Sequence, residues 1–196
     1  MLLTLSISIL FLSIVSCKDK VIIADSSKGV LPTLNYLKHL NNFLKKLDPY
    51  PENFTLQYLP VCELTDEQGN FVAKLCSDST ELNVACTQKY IKGNFLPTIL
   101  CFNEYPDTPT LEECVGRSID CSEEAAEITS NIKKCVESNE GQNLMKKARK
   151  ALPIANRTPN GFINKKAALF NKAPKEQLCG LKSLKSQEAC QPCRRS

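Results

Sequence analysis

The chain has 196 residues, 25 Lys and Arg against 21 Asp and Glu, and a net charge of +4. So small a surplus, with acidic residues interspersed, excludes the concentrated basic character of a nucleic-acid-binding protein. One histidine, His39, against 11 cysteines leaves little basis for Cys/His metal sites, so no metal and no cofactor is expected.

The N-terminus comes first. Residues 1–16 form an almost unbroken apolar run with no charged side chain before Lys18. The run falls short of the roughly 20 apolar residues that a membrane helix needs, and it ends at the small residues Ser16 and Cys17. These features predict a signal peptide over residues 1–17 and no transmembrane segment after its removal. Ile14-Val15-Ser16-Cys17 also fits a bacterial lipoprotein cleavage pattern. Two N-glycosylation tripeptides, Asn53-Phe54-Thr55 and Asn156-Arg157-Thr158, favour a eukaryotic luminal chain instead.

Val21 to Ala24 is a short β-branched run that reads as a buried strand. After a polar turn, Val30, Leu34, Leu37, Phe43, Leu44 and Leu47 recur at helical spacing, opposite Lys38, Asn41, Lys45 and Lys46. Asp48-Pro49-Tyr50-Pro51 must end that helix. Thr55 to Val61 reads as a second strand, followed by a cysteine-rich stretch over residues 62–122 of loops and short helices. Thr80 to Tyr90 is expected to be helical, and Tyr105 to Pro109 a turn.

Ser122 is expected to cap a helix whose first turn carries Glu123 and Glu124 and whose stripe is Ala125, Ile128, Ile132 and Cys135. A second amphipathic helix is expected from Ser138 to Leu152, with Lys146, Lys147, Arg149 and Lys150 on its solvated face. Residues 158–170 read as a β-hairpin turning at Asn164-Lys165-Lys166, and residues 173–196 as a basic, cysteine-containing tail. The order of elements predicts one α/β domain over residues 18–172, a thioredoxin-like layout with a small mixed sheet between helices.

Ten cysteines remain once Cys17 is set aside with the signal: Cys62, Cys76, Cys86, Cys101, Cys114, Cys121, Cys135, Cys179, Cys190 and Cys193. At this density they are read as disulfide partners in an oxidising compartment, forming four or five bridges of open connectivity. A zinc site at Cys179, Cys190 and Cys193 would need a fourth ligand and reducing conditions, and neither is evident.

Cys76, Glu81, Asn83, Cys86, Leu96-Pro97 with Cys101, Cys114, Cys121 and the run Cys135-x-x-Ser138-x-x-Gly141 follow one another in order. Thr158-Pro159 and Phe162-Ile163-Asn164 come after them. In that order and spacing the chain resembles the GILT family (gamma-interferon-inducible lysosomal thiol reductases) over residues 20–172. The resemblance implies a thioredoxin-like fold with a cysteine-bearing helical insertion, a cis-proline groove at Pro159, and thiol-disulfide oxidoreductase activity. The family signature is incomplete here: its Gln, His and Gly are absent, and Leu82 stands where a cysteine follows the Glu.

In the family a Cys-x-x-Cys opens the first helix, where amide groups and the helix dipole stabilise a thiolate. Gly29 and Pro32 replace those cysteines, and no cysteine lies between Cys17 and Cys62. Ser26, Ser27 and Thr33 cannot form a disulfide intermediate, and no neighbouring histidine in sequence activates them as hydrolase nucleophiles. Cys190-Gln191-Pro192-Cys193 is a second possible redox pair, flanked by Arg194 and Arg195. It has no following helix, so a structural bond between these two, or with Cys179, competes with redox use.

The expectation is therefore a secreted or lumenal glycoprotein, extracellular or lysosomal, that binds a polypeptide or glycan partner and has lost the family chemistry. Two alternatives stand beside it. One is an active oxidoreductase using Cys190 and Cys193; the other is a disulfide-rich structural or effector protein.

Overall fold

In the centre of the sheet lies β1 (Asp19–Ser26), whose Val21, Ile22, Ile23 and Ala24 are all buried. A strand buried on both faces reads as a continuous apolar run rather than an alternating one, which is why four consecutive apolar residues stand here. The computed structural model describes residues 18–26, 31–47, 49–65, 71–75, 79–102, 109–150, 161–170 and 172–191. The signal peptide expected over residues 1–17 and the expected Tyr105–Pro109 turn, except Pro109, lie outside them.

From β1 the chain crosses through α1 (Leu31–Leu44) to β2 (Phe54–Thr65), which runs parallel to β1 in the register Val21↔Leu56 and Ile23↔Tyr58. β3 (Phe71–Leu75) returns antiparallel along the far half of β2, pairing at Val61, Glu63 and Thr65. On the other side of β1 lies a hairpin of β4 (Gly161–Ile163) and β5 (Lys166–Ala168), with β4 antiparallel to β1. The described residues thus form a mixed sheet in the order β3-β2-β1-β4-β5.

Between β3 and β4 the chain inserts α2 (Ser79–Tyr90), α3 (Leu96–Cys101), α4 (Leu111–Gly116), α5 (Ser122–Glu137) and α6 (Asn139–Lys150). After the hairpin come α7 (Pro174–Leu178) and a 3-10 turn at Glu188–Cys190. Val21, Ile23, Leu56 and Tyr58 share the main core with Tyr36, Leu37 and Leu40 of α1. The alternate residues Ile22 and Leu59, with Phe162, meet Ala148 of α6 on the opposite face. That split follows from the two-residue period of a strand.

Three expectations change. A strand, β3, occupies part of the stretch read as loops and short helices; five residues beside a partner suffice for pairing that no periodicity announces. Ser122 is the first residue of α5, not its cap: Cys121 holds the cap position, without a side-chain hydrogen bond. The capping hydroxyls are elsewhere. Thr110 accepts from the Glu113 N–H at 3.3 Å, while the Glu113 carboxylate accepts from the Thr110 N–H at 2.7 Å, forming a capping box on α4. Ser138 caps α6, accepting from the Glu140 N–H at 3.2 Å.

Residues 174–191 are also more than a tail, since Leu178 and Leu184 are fully buried in the main core. Their anchor is Asp19, itself buried. Its carboxylate accepts from the Ser183 N–H at 2.8 Å and from the Asn164 side-chain amide at 2.7 Å. Asn164 in turn accepts from the Lys20 N–H at 2.8 Å, so one network joins β1, the hairpin turn and the C-terminal segment.

Candidate functional site

The family resemblance directs attention to the junction of β1 and α1. Residues 27–30, Gly29 among them, lie outside the described residues; Pro32 is the second residue of α1. A proline is tolerated there because the first helical amides have no partner inside the helix. The first turn, Leu31-Pro32-Thr33-Leu34, carries no thiol. His39, further along α1, is exposed.

Facing this junction across β1 is the β4 strand, where Gly161 pairs with Ile23. A Cβ at Gly161 would lie 2.2 Å from the Ile22 carbonyl oxygen and 2.2 Å from the Phe170 ring, so only glycine permits this strand approach. Pro159, two residues earlier, falls outside the described residues, as does the glycosylation candidate Asn156. The other candidate, Asn53, is exposed at the turn before β2.

The cysteines divide by environment. Cys86 and Cys135 form a fully buried disulfide between α2 and α5, and Cys101 is bonded to Cys114 between α3 and α4. Cys190 is bonded to Cys179, so among the described residues its partner is not another member of a Cys-x-x-Cys. Cys62 lies on β2; Cys76 and Cys193 lie outside the described residues. Cys121, expected to be a bridge partner, is instead a free and exposed thiol at the start of α5. It holds the N-cap of α5, at the surface.

The geometry explains the Cys135-x-x-Ser138-x-x-Gly141 pattern. Ser138 donates to the Cys135 carbonyl at 3.2 Å at the end of α5 and caps α6, which turns the chain sharply. Gly141 then packs on the disulfide: a Cβ there would stand 3.2 Å from Cys86 Sγ and 3.3 Å from the Cys135 carbonyl oxygen. Glu140 ties α6 back to α2 by pairing with Lys89 and accepting from the Tyr90 hydroxyl at 3.2 Å. α2, α5 and α6 therefore form a cross-braced frame.

That frame lines a groove of about 290 Å³ at the edge of the sheet. Lys20, Gln57 and Leu59 contribute from the sheet, Gln88 from α2, and Leu144 and Met145 from α6. Burial pushes the Lys20 ammonium below its ordinary pKa. The sequence offered no sign of this groove, because its walls come from segments more than a hundred residues apart.

No protein-family model matches this chain, and no curated protein matches it.

Proposed function

We propose that this chain is a thioredoxin-like domain of GILT type that binds a polypeptide or glycan partner in the secretory-pathway lumen, without reducing disulfides. Its fold reading is supported by the parallel β1-α1-β2 unit, the antiparallel β4-β5 hairpin on the other side of β1, and the closing helix α7. The disulfide-stapled helical insertion between β3 and β4 supports the same reading. Ser138 and Gly141 have clear structural roles at the Cys86–Cys135 bond, in keeping with the motif they resemble.

The observation that carries the loss of chemistry is the absence of any cysteine from Lys18 to Val61, a span that includes the end of β1 and the whole of α1. Disulfide exchange begins with attack by a thiolate, and a hydroxyl cannot replace it in the mixed-disulfide step. Lumenal placement is supported by the three described disulfides and by the exposed Asn53. Among the described residues, no helix is long and apolar enough to cross a membrane.

The test is a thiol titration of the purified secreted protein with an alkylating probe across the pH range from lysosomal to neutral. The expected result is no thiol of depressed pKa. A cysteine that reacts rapidly at acidic pH, Cys190 or Cys193 above all, would restore the oxidoreductase reading.

A further inference from the structure

The groove at the edge of β2 has three properties that point to one kind of occupant. The first is an open strand edge. Both the N–H and the C=O of Tyr58 turn away from β1, since both bond to the Gln88 side chain at 2.7 Å. In a strand, peptide groups two residues apart point the same way, so those of Leu56 also face this edge. β3 covers β2 only from Val61 onward, and among the described residues no hydrogen bond from outside the β1 ladder reaches the Leu56 peptide group.

The second property is an apolar wall of Leu59, Leu144 and Met145 beside that edge. The third is Lys20, half-buried on the sheet side of the groove, with no carboxylate among the described residues paired to it. Lys89, the groove's other lysine, is already neutralised by Glu140.

We infer that the groove docks an extended peptide segment bearing a carboxylate, which pairs its main chain with Leu56, lays an apolar side chain on Leu144 and Met145, and brings its acid to Lys20. This rests on the partner-binding reading and names the partner as polypeptide. Strand addition of this kind draws affinity from main-chain hydrogen bonds and selectivity from pockets for alternate side chains. A fatty-acid-like anion would satisfy Lys20 and the apolar wall but leave the Leu56 peptide group unpaired. The cavity, about 290 Å³, accommodates one or two side chains rather than a folded domain.

The experiment selects binders from a displayed library of random heptapeptides on the secreted protein. Selected peptides are then titrated against wild type, Lys20→Glu and Gln57→Trp, the second variant filling the groove from a partly exposed position. Sodium decanoate serves as the amphiphile control, and circular dichroism verifies the fold of each variant. The expected result is apolar peptides containing Asp or Glu, with binding weakened at least about tenfold by either substitution. Hydrogen exchange at the Leu56 amide of wild type should slow when peptide is bound, a readout that stands even if a variant misfolds.

Peptides that bind wild type and both variants equally would overturn the groove while leaving partner binding elsewhere intact. Failure to enrich any peptide, or binding of decanoate alone, would overturn the peptide assignment. A reductase activity in the same preparation would instead count against the non-catalytic reading itself.

Discussion

The side-chain amide of Gln88 stands in for a neighbouring strand at Tyr58, accepting its N–H and donating to its C=O, each at 2.7 Å. Gln88 also donates to the Val84 carbonyl at 3.2 Å, so the side chain is fixed within α2 while it satisfies the β2 edge at Tyr58. An edge that would otherwise expose a peptide group is closed by one residue of the insertion. Gln88→Ala should cost about 1–3 kcal/mol, the usual penalty for leaving a shielded polar group unpaired. Gln88→Glu should not restore it, because a carboxylate cannot donate to the Tyr58 carbonyl. Urea denaturation midpoints of the two variants check this.

Asp19 should make the fold acid-sensitive. Burial, the largest single effect, would raise the carboxyl pKa, but the hydrogen bonds from Ser183 and Asn164 and the charge of Lys182 together outweigh it. The folded pKa therefore lies below the ordinary 3.8. A depressed carboxyl pKa gives stability that is fully present well above 3.8 and is lost as pH falls through the folded value. Asp19→Asn should lower stability by about 1.5–3 kcal/mol at neutral pH. The gap to wild type should close as the pH drops past 3.8, which denaturation curves at stepped pH would reveal.

Two positions of the hairpin, Lys165 and Gly161, should respond in opposite directions. Asn164 and Lys165 both have positive φ, 49° and 69°, as a tight two-residue turn demands. Asn adopts this region more readily than Lys, which is strained there, so Lys165→Gly should raise stability by about 1 kcal/mol. Gly161→Ala should prevent folding. Adding Phe170→Ala should not rescue it, because the clash with the Ile22 carbonyl oxygen remains. Folded yield and thermal melting of the variants test both statements.

Alkylation of the native protein should modify Cys121 first, since it is free and exposed. Cys86 and Cys135, bonded and fully buried, should resist mild reductant until the protein unfolds. Replacing both by alanine should cost about 2–5 kcal/mol. Peptide mapping by mass spectrometry before and after reduction separates these classes.

Much of the framework was legible because its causes are local. The run Val21–Ala24 has the composition of a central strand, and Pro49 and Pro51 bound the helix before β2. Ile128, Ile132 and Cys135 form the inner stripe of α5 that their helical spacing announces, and Asn164 lies in the hairpin turn. What was missed depends on distant partners. β3 needs β2 beside it, and Leu178 and Leu184 become core residues only when the C-terminal segment folds over α1. Asp19 looks like a solvated residue until Ser183, 164 positions away, supplies its amide. The groove was illegible for the same reason. Gln88 in sequence is an ordinary polar helix residue, and only the arrival of β2 gives its amide a strand edge to complete.

The central proposal, a GILT-like frame without its reducing chemistry, is tested most directly by insulin reduction, followed as turbidity with the purified protein at acidic and neutral pH. No acceleration over a reductant-only blank is predicted. Catalytic turnover abolished by Cys190→Ser or Cys193→Ser would contradict the claim and make the C-terminal pair the active site.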